Sequence, residues 1–302
     1  MREGGYAGVV FALLAAVGFS AKAILVKLAY QYRVDSITLL ALRMVFAMPF
    51  FITVLLWARR RQTQPLSSRE KVMVLGLGLI GYYLSSFFDF LGLQYITAGL
   101  ERLILFLYPT MTVTLSALIY RRAIGKKVLF AMALSYLGIA LVFLHDGGGR
   151  QGESVMLGAL LVFASTLSYS IYLVGAGHAI ARIGAARFTS HAMIVASIAC
   201  LLQFGATHTL ASLELPMRVY EYAFAMAIFS TVLPVFLLSL AIRHIGSAQA
   251  SLIGSIGPVS TIYLADLFLG EKITLLQVAG AMLVLGGVLI VSFSRNRAGA
   301  TK

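Results

Sequence analysis

Apolar residues run through this chain in blocks of about 20, the length that crosses the hydrocarbon core of a bilayer as a helix. Short polar or basic stretches close each block. The pattern predicts ten spans, at residues 6–28, 36–57, 72–94, 97–120, 128–144, 155–177, 188–206, 221–242, 247–269 and 273–293. The expected fold class is an all-α polytopic membrane protein. The first block, Tyr6 to Leu28, exceeds the apolar region of a secretory signal and lacks a convincing cleavage site, so it reads as the first span.

Composition supports the pattern. The 302 residues are 60% hydrophobic and 12% charged, with a mean hydropathy of +0.92, whereas soluble domains carry about a quarter of their residues charged. A formal charge of +13 would ordinarily raise nucleic acid as a partner. Here the basic residues sit in the connections between apolar blocks, which is how topology is encoded, and no nucleic acid is expected. Assigning the connections alternately to two sides places sixteen basic residues on one side, among them Arg59 to Arg61, Arg121, Arg122, Lys126 and Lys127. The other side holds four: Arg33, Arg150, Arg218 and Lys272. That bias predicts both termini in the cytoplasm, with the chain in the inner (plasma) membrane. The single cysteine, Cys200, has no partner for an internal disulfide.

The order of blocks also repeats. Residues 91–143 slide onto 240–292 without a gap, bringing Pro109 onto Pro258, Thr112 onto Thr261, Ile124 onto Ile273 and Gly138 onto Gly287. Gly8 to Ser20 echoes Gly158 to Ser170. The expected units are residues 1–146 and 147–302, each of five spans. An odd number of spans makes the second unit enter the membrane from the opposite side, the inverted arrangement of many secondary transporters. Two matched stretches, LYPTMTVTL at 107–115 and IGPVSTIYL at 256–264, put a proline inside an apolar block. Proline has no amide hydrogen and clashes with the carbonyl four residues back, so each should kink its span and free the carbonyls of Leu105 and Gly254. Pro109 and Pro258 are thus expected as a symmetric hinge facing a cavity.

Polar residues gather on single helix faces. Glu101, Tyr108, Thr112 and Ser116 share an arc in the fourth span, and Ser247, Ser251, Ser255, Pro258 and Asp266 share one in the ninth. The third span groups Gly78, Tyr82, Ser85, Ser86 and Asp89, and the sixth groups Ser165, Ser168, Tyr169 and Tyr172. Small residues at such spacing also serve helix packing. Tyrosines beside carboxylates are not required by packing, and they select Tyr82, Ser86, Asp89, Glu101, Tyr108, Thr112, Tyr169, Tyr172, Ser251 and Ser255 as candidate cavity residues. Lys22, Arg43 and Arg102 join Asp89 and Glu101 in the outer half of their spans. Charges at that depth mark either a pathway or a neutralised network, and both readings stay open. Asp266, with Ala117 at the matching position of the first half, is a possible coupling residue or a hydrated headgroup neighbour.

Residues 247–291 resemble the end of an EamA-type repeat of the drug/metabolite transporter superfamily. The resemblance is carried by a small-residue helix start, Pro258 within the helix, the pair Gly270-Glu271, and the glycines Gly280, Gly286 and Gly287. The first half keeps Pro109 but has Arg121-Arg122 where the family has a Gly-Glu-like pair. The resemblance implies a ten-helix carrier with a cavity lined by spans 1, 3, 4, 6, 8 and 9, and many members export amino acids or other small metabolites. The expected partners are a small-molecule solute and the lipid bilayer, with the protein a monomer or homodimer. A nucleoside-like or cofactor-like solute such as S-adenosylmethionine is the alternative. An intramembrane enzyme or a membrane scaffold is the alternative of another class. No His/Cys cluster, nucleophile elbow or phosphate loop is present in the sequence, so no enzyme, metal or cofactor is expected.

Overall fold

The computed structural model describes residues 3–61, 65–121, 124–146, 152–254 and 256–299. Helix α1 (Glu3–Tyr30) is followed by α2 (Ser36–Arg61). Helix α3 (Ser68–Gly78) continues through a π-helical turn (Leu79–Leu84) into α4 (Ser85–Gly92). Then come α5 (Ala98–Leu105), α6 (Tyr108–Ile119), α7 (Lys126–Asp146), α8 (Gly152–Ile183) and α9 (Ala185–Thr207). Helix α10 (Met217–Ala227) passes through a second π-helical turn (Ile228–Val232) into α11 (Leu233–Gly254), before α12 (Gly257–Leu269) and α13 (Leu275–Gly299). Eight described helical stretches are long and apolar enough to cross a membrane, while Gly257–Leu269 and Leu275–Ile290 are shorter. The chain is a multi-pass membrane protein.

Helix starts follow local chemistry. The Asp35 carboxylate accepts from the amides of Ile37 and Thr38 at 2.9 Å, satisfying orphan donors where α2 begins. Ser67 and Glu70 form a reciprocal capping box on α3. Thr97 caps α5 by accepting from the Leu100 amide at 3.2 Å.

The irregular points of the backbone come in pairs. The π-helical turns begin at Leu79 and Ile228, the same 149 residues that separate Pro109 from Pro258. Leu107 and Ile256, each directly before a new helix, have φ/ψ of −72°/−13° and −68°/−14°. Arg121 (φ 50°) and Gly270 (φ 69°), again 149 residues apart, take the left-handed conformation that ends a helix. Arg121 therefore carries a side chain where its counterpart needs none.

The prolines do not kink their helices as the sequence suggested; they start new ones. Phe106 and Leu107 separate α5 from α6, and Pro109 stands in the first turn of α6, where a missing N–H is no loss. Pro258 has the same place in α12. The expected boundary between residues 242 and 247 is also different, because helical bonding continues to Gly254. The chain nevertheless reverses there. Gly18 packs on Pro234, Gly8 packs on His244 and Ile245, and Ser20 bonds the Gly257 carbonyl at 3.0 Å. The chain thus descends along α1 from 234 to 245 and has climbed back by 257. A straight helix would carry Gly254 about 30 Å beyond Pro234, so α11 must fold back within its own length.

Helices α7 and α13 cross closely. A Cβ on Gly138 would lie 2.6 Å from the Gly280 carbonyl oxygen and 3.1 Å from Val284, and one on Gly287 would collide with Ser135 and the Ala131 carbonyl. Residue numbers rise along α7 as they fall along α13, so the two helices run antiparallel. The contacts are reciprocal, since Ala131 and Ser135 stand 149 residues before Gly280 and Val284.

Two measurements of thermal midpoint in detergent check this account. Gly287→Val forces atoms into an occupied crossing and should cost about 1–3 kcal/mol, whereas Gly76→Ala, with nothing within 4 Å of the added carbon, should be neutral or stabilising. Gly270→Ala should lose about 1 kcal/mol by placing a Cβ at positive φ, and Arg121→Gly should not destabilise.

Candidate functional site

Helices α1, α2, α4 and α5 bring the buried charges together. The Lys22 ammonium on α1 lies 2.6 Å from Oδ2 of Asp89 on α4 and 3.0 Å from Oε1 of Glu101 on α5. Glu101 is fully buried and Asp89 is 3% exposed. Arg43 on α2 places its guanidinium over the Phe90 ring, 4.8 Å from the centroid, and donates to the Ser86 hydroxyl at 3.0 Å. The Tyr30 hydroxyl donates to the Phe90 carbonyl at 2.6 Å, tying the end of α1 to α4. The α5 end is fixed from the far half of the chain. There the Glu271 carboxylate accepts from the Ala98 amide at 3.2 and 3.3 Å, an anion on a helix N-terminus.

The second cluster is aromatic. The hydroxyls of Tyr82 and Tyr172 are 2.9 Å apart. The Tyr82 and Tyr172 rings meet edge-on at 4.9 Å, Tyr169 and Tyr172 stack at 5.6 Å, and Tyr108 meets Tyr169 edge-on at 5.7 Å. Phe188 stacks behind Tyr172 at 6.1 Å. Arg102 joins this group to the charges. It interacts electrostatically with Glu101, Asp89, Tyr108 and Tyr169, and its guanidinium occupies the space above Gly257 at the start of α12.

Both helix breaks are bonded across the interface by matched serines. Ser170 on α8 donates to its own helix at Thr166 and reaches the Tyr108 carbonyl at 3.3 Å. Ser20 on α1 does the same with Ala16 and the Gly257 carbonyl. Each carbonyl precedes its half's proline. The Ser168 hydroxyl donates to the Ile80 carbonyl in the first π-helical turn at 2.6 Å, while the corresponding Gly18 packs directly against the Phe229 carbonyl in the second. Irregular backbone at membrane depth is tolerable only where protein or water satisfies it. Here side-chain hydroxyls from the long helices add bonds to backbone carbonyls at and beside those irregular points.

The structure therefore unites Lys22, Asp89, Glu101, Arg43 and Ser86 in one cluster, and Tyr82, Tyr108, Tyr169, Tyr172 and Arg102 in an adjoining one. The four tyrosines pack on one another rather than around an open space. Thr112 gives its hydroxyl to the Tyr108 carbonyl at 2.6 Å, within its own helix. Asp266 is exposed on the outer surface of α12 and joins neither cluster. Ser255 and the side chain of Ser251 lie outside the described residues. Ser20, Ser168 and Ser170 were missed as contacts to the breaks, although the echo of Gly8–Ser20 in Gly158–Ser170 was a visible signal. Beyond the charges, at the Tyr30 end of α1, lie two shallow, open hollows. One, of about 310 Å³, is lined by Lys27, Tyr30, Gln31, Leu269 and Glu271. The other, of about 360 Å³, is lined by Tyr30, Arg33, Val34, Asp35 and Gln94.

Known proteins place this arrangement. The EamA-like transporter family matches the chain twice, over residues 6–144 and 156–293. The uncharacterized transporter YcbK of Bacillus subtilis is 31% identical over 94% of this chain and 91% of its own length. The uncharacterized transporter YyaM of the same organism is 27% identical over 74% of each chain. A solved crystal structure with 18% identity superposes at a TM-score of 0.65, covering 96% of this chain and 97% of the other, and shares the fold. Because the family unit matches in both halves and spans nearly every described helix, the chain belongs to the EamA-like transporter family.

Proposed function

We propose that this membrane transporter is a secondary carrier that works by alternating access and exports amino acids or related small metabolites. The observation that carries the reading is the buried cluster of Lys22, Asp89 and Glu101 beside two helix breaks. Ionisable groups at membrane depth are costly and are kept where a solute or ion passes. Broken helices in corresponding places are where such carriers bind their solutes.

The reading has ten crossings, with α10 and the descending part of α11 as the eighth and the returning part of α11 with α12 as the ninth. The halves, 1–146 and 147–302, are inverted repeats. The paired π-helical turns, the paired prolines and the antiparallel, reciprocal α7–α13 crossing support this. The chain lies in the inner membrane with both termini in the cytoplasm, on the strength of the basic-residue bias. The tyrosines meeting ring to ring correspond to a closed state, which opens as one half rocks against the other about Pro109 and Pro258. The aromatic cluster favours a second reading, a planar nucleoside-like or cofactor-like solute that would stack on Tyr169 and Tyr172.

Counterflow in proteoliposomes separates these readings. Vesicles preloaded with unlabelled solute are given a panel of labelled amino acids, purine nucleosides, S-adenosylmethionine and sugars. The expected result is transient accumulation of an amino acid, and rates equal to those of empty vesicles for every solute would sink the proposal. Glu101→Gln and Tyr108→Phe should each slow exchange about tenfold, the loss expected for one charge-assisted contact, while inserting normally. Unchanged kinetics in both variants would remove α5 and α6 from the site.

A further inference from the structure

We infer that the Asp89–Glu101 carboxylate pair is a binding subsite for the primary ammonium group of the transported solute, occupied in the empty carrier by Lys22 as a tethered substitute. This inference rests on the transporter reading and specifies what that site recognises.

Carboxylates that serve the fold of this chain are recognisable by their partners. Asp35 accepts two backbone amides where α2 begins, and Glu271 accepts one where α5 begins. Glu101 differs. It is fully buried, and its carboxyl meets the Lys22 ammonium and the Asp89 carboxyl rather than backbone amides. Oδ1 of Asp89 likewise has no backbone amide bonded to it. Two carboxylates on separate helices thus converge on a single ammonium that comes from a third.

The three partners are not equally enclosed. The Lys22 side chain is 16% exposed, whereas those of Asp89 and Glu101 are 4% and 0% exposed. The cation is the member that can leave, because its four-carbon stem swings while the carboxylates stay on their helices. Withdrawal would leave two buried carboxyls with only the Arg102 guanidinium nearby, one cation too few, which is unfavourable. A second cation restores the balance. An ammonium with several N–H donors reproduces the bridging geometry, and a quaternary cation without N–H groups does not.

The group displaced also has a use. A freed Lys22 would stand near Arg102, whose Nε–H donates to no acceptor among the described residues and whose guanidinium lies against Gly257. Two cations beside the vacated site would receive a carboxylate. The subsite therefore selects solutes that bear a primary amine and a carboxylate on the same small frame. Returning Lys22 to the carboxylates neutralises them once the solute has gone, so the empty carrier can close.

The test uses the full-length purified protein in detergent and reads its thermal midpoint. Lys22→Met should lower the midpoint by roughly 5 °C. Methylammonium chloride should restore most of that loss, and tetramethylammonium or potassium chloride at equal ionic strength should not. Lys22→Met/Glu101→Gln should be more stable than Lys22→Met alone and should lose the methylammonium response. An unchanged midpoint in Lys22→Met, equal restoration by all three salts, or restoration only by lowering the pH would each overturn the inference. If Lys22→Met is recovered only when purified in methylammonium, the inference stands, and failure in methylammonium and tetramethylammonium alike overturns it. Counterflow is read separately. Exchange without an amine response removes the subsite and leaves the carrier, while an amine response without exchange of any solute does the reverse.

Discussion

A chain in hydrocarbon has no water to satisfy its polar groups, so each carbonyl, amide and charge must find its partner within the protein. The structure of this transporter follows from that constraint. Where α5 parts from α6 at Leu107, and α11 from α12 at Ile256, other segments bond the backbone beside the breaks. Ser170 and Ser20 do so from the two longest neighbours of those breaks, α8 and α1. Lys22 meets the same requirement for charge, since its ammonium lies between the buried carboxyls of Asp89 and Glu101.

The frame is paired, but the chemistry within it is not. Counting forward 149 residues from Asp89 and Glu101 reaches Leu238 and Ala250, both apolar, and from Tyr82 reaches Thr231. Asp89, Glu101 and Tyr82 thus have no like residue at the matching positions of the second half. Matching turns and matching glycine contacts let two similar units pack against each other through one reciprocal crossing.

Much of this was legible in the sequence, for reasons that differ from residue to residue. The paired prolines were plain because proline acts on the backbone wherever it stands. The charged residues stood out because an apolar block makes any charge conspicuous. Their pairing was not legible. Lys22 and Glu101 are far apart along the chain, and helical angle alone leaves open whether a charge faces a partner or a passage. Asp266 shows the limit of that method: it shares an arc with Pro258, yet near the end of α12 that arc has turned outward. The mutual packing of the tyrosines depends on how closely α8 approaches the first π-helical turn, where Gly81 lies against Tyr172.

By itself, then, the sequence determined the apolar blocks, the twofold spacing and the residues too polar for lipid, because the bilayer imposes those demands locally along the chain. The tertiary structure decided that the prolines begin helices instead of bending them, that α11 turns back within its helical stretch, and that one lysine serves two carboxylates. Those outcomes depend on which helices meet and at what height. Contacts between distant segments set that register, and no window of sequence contains them.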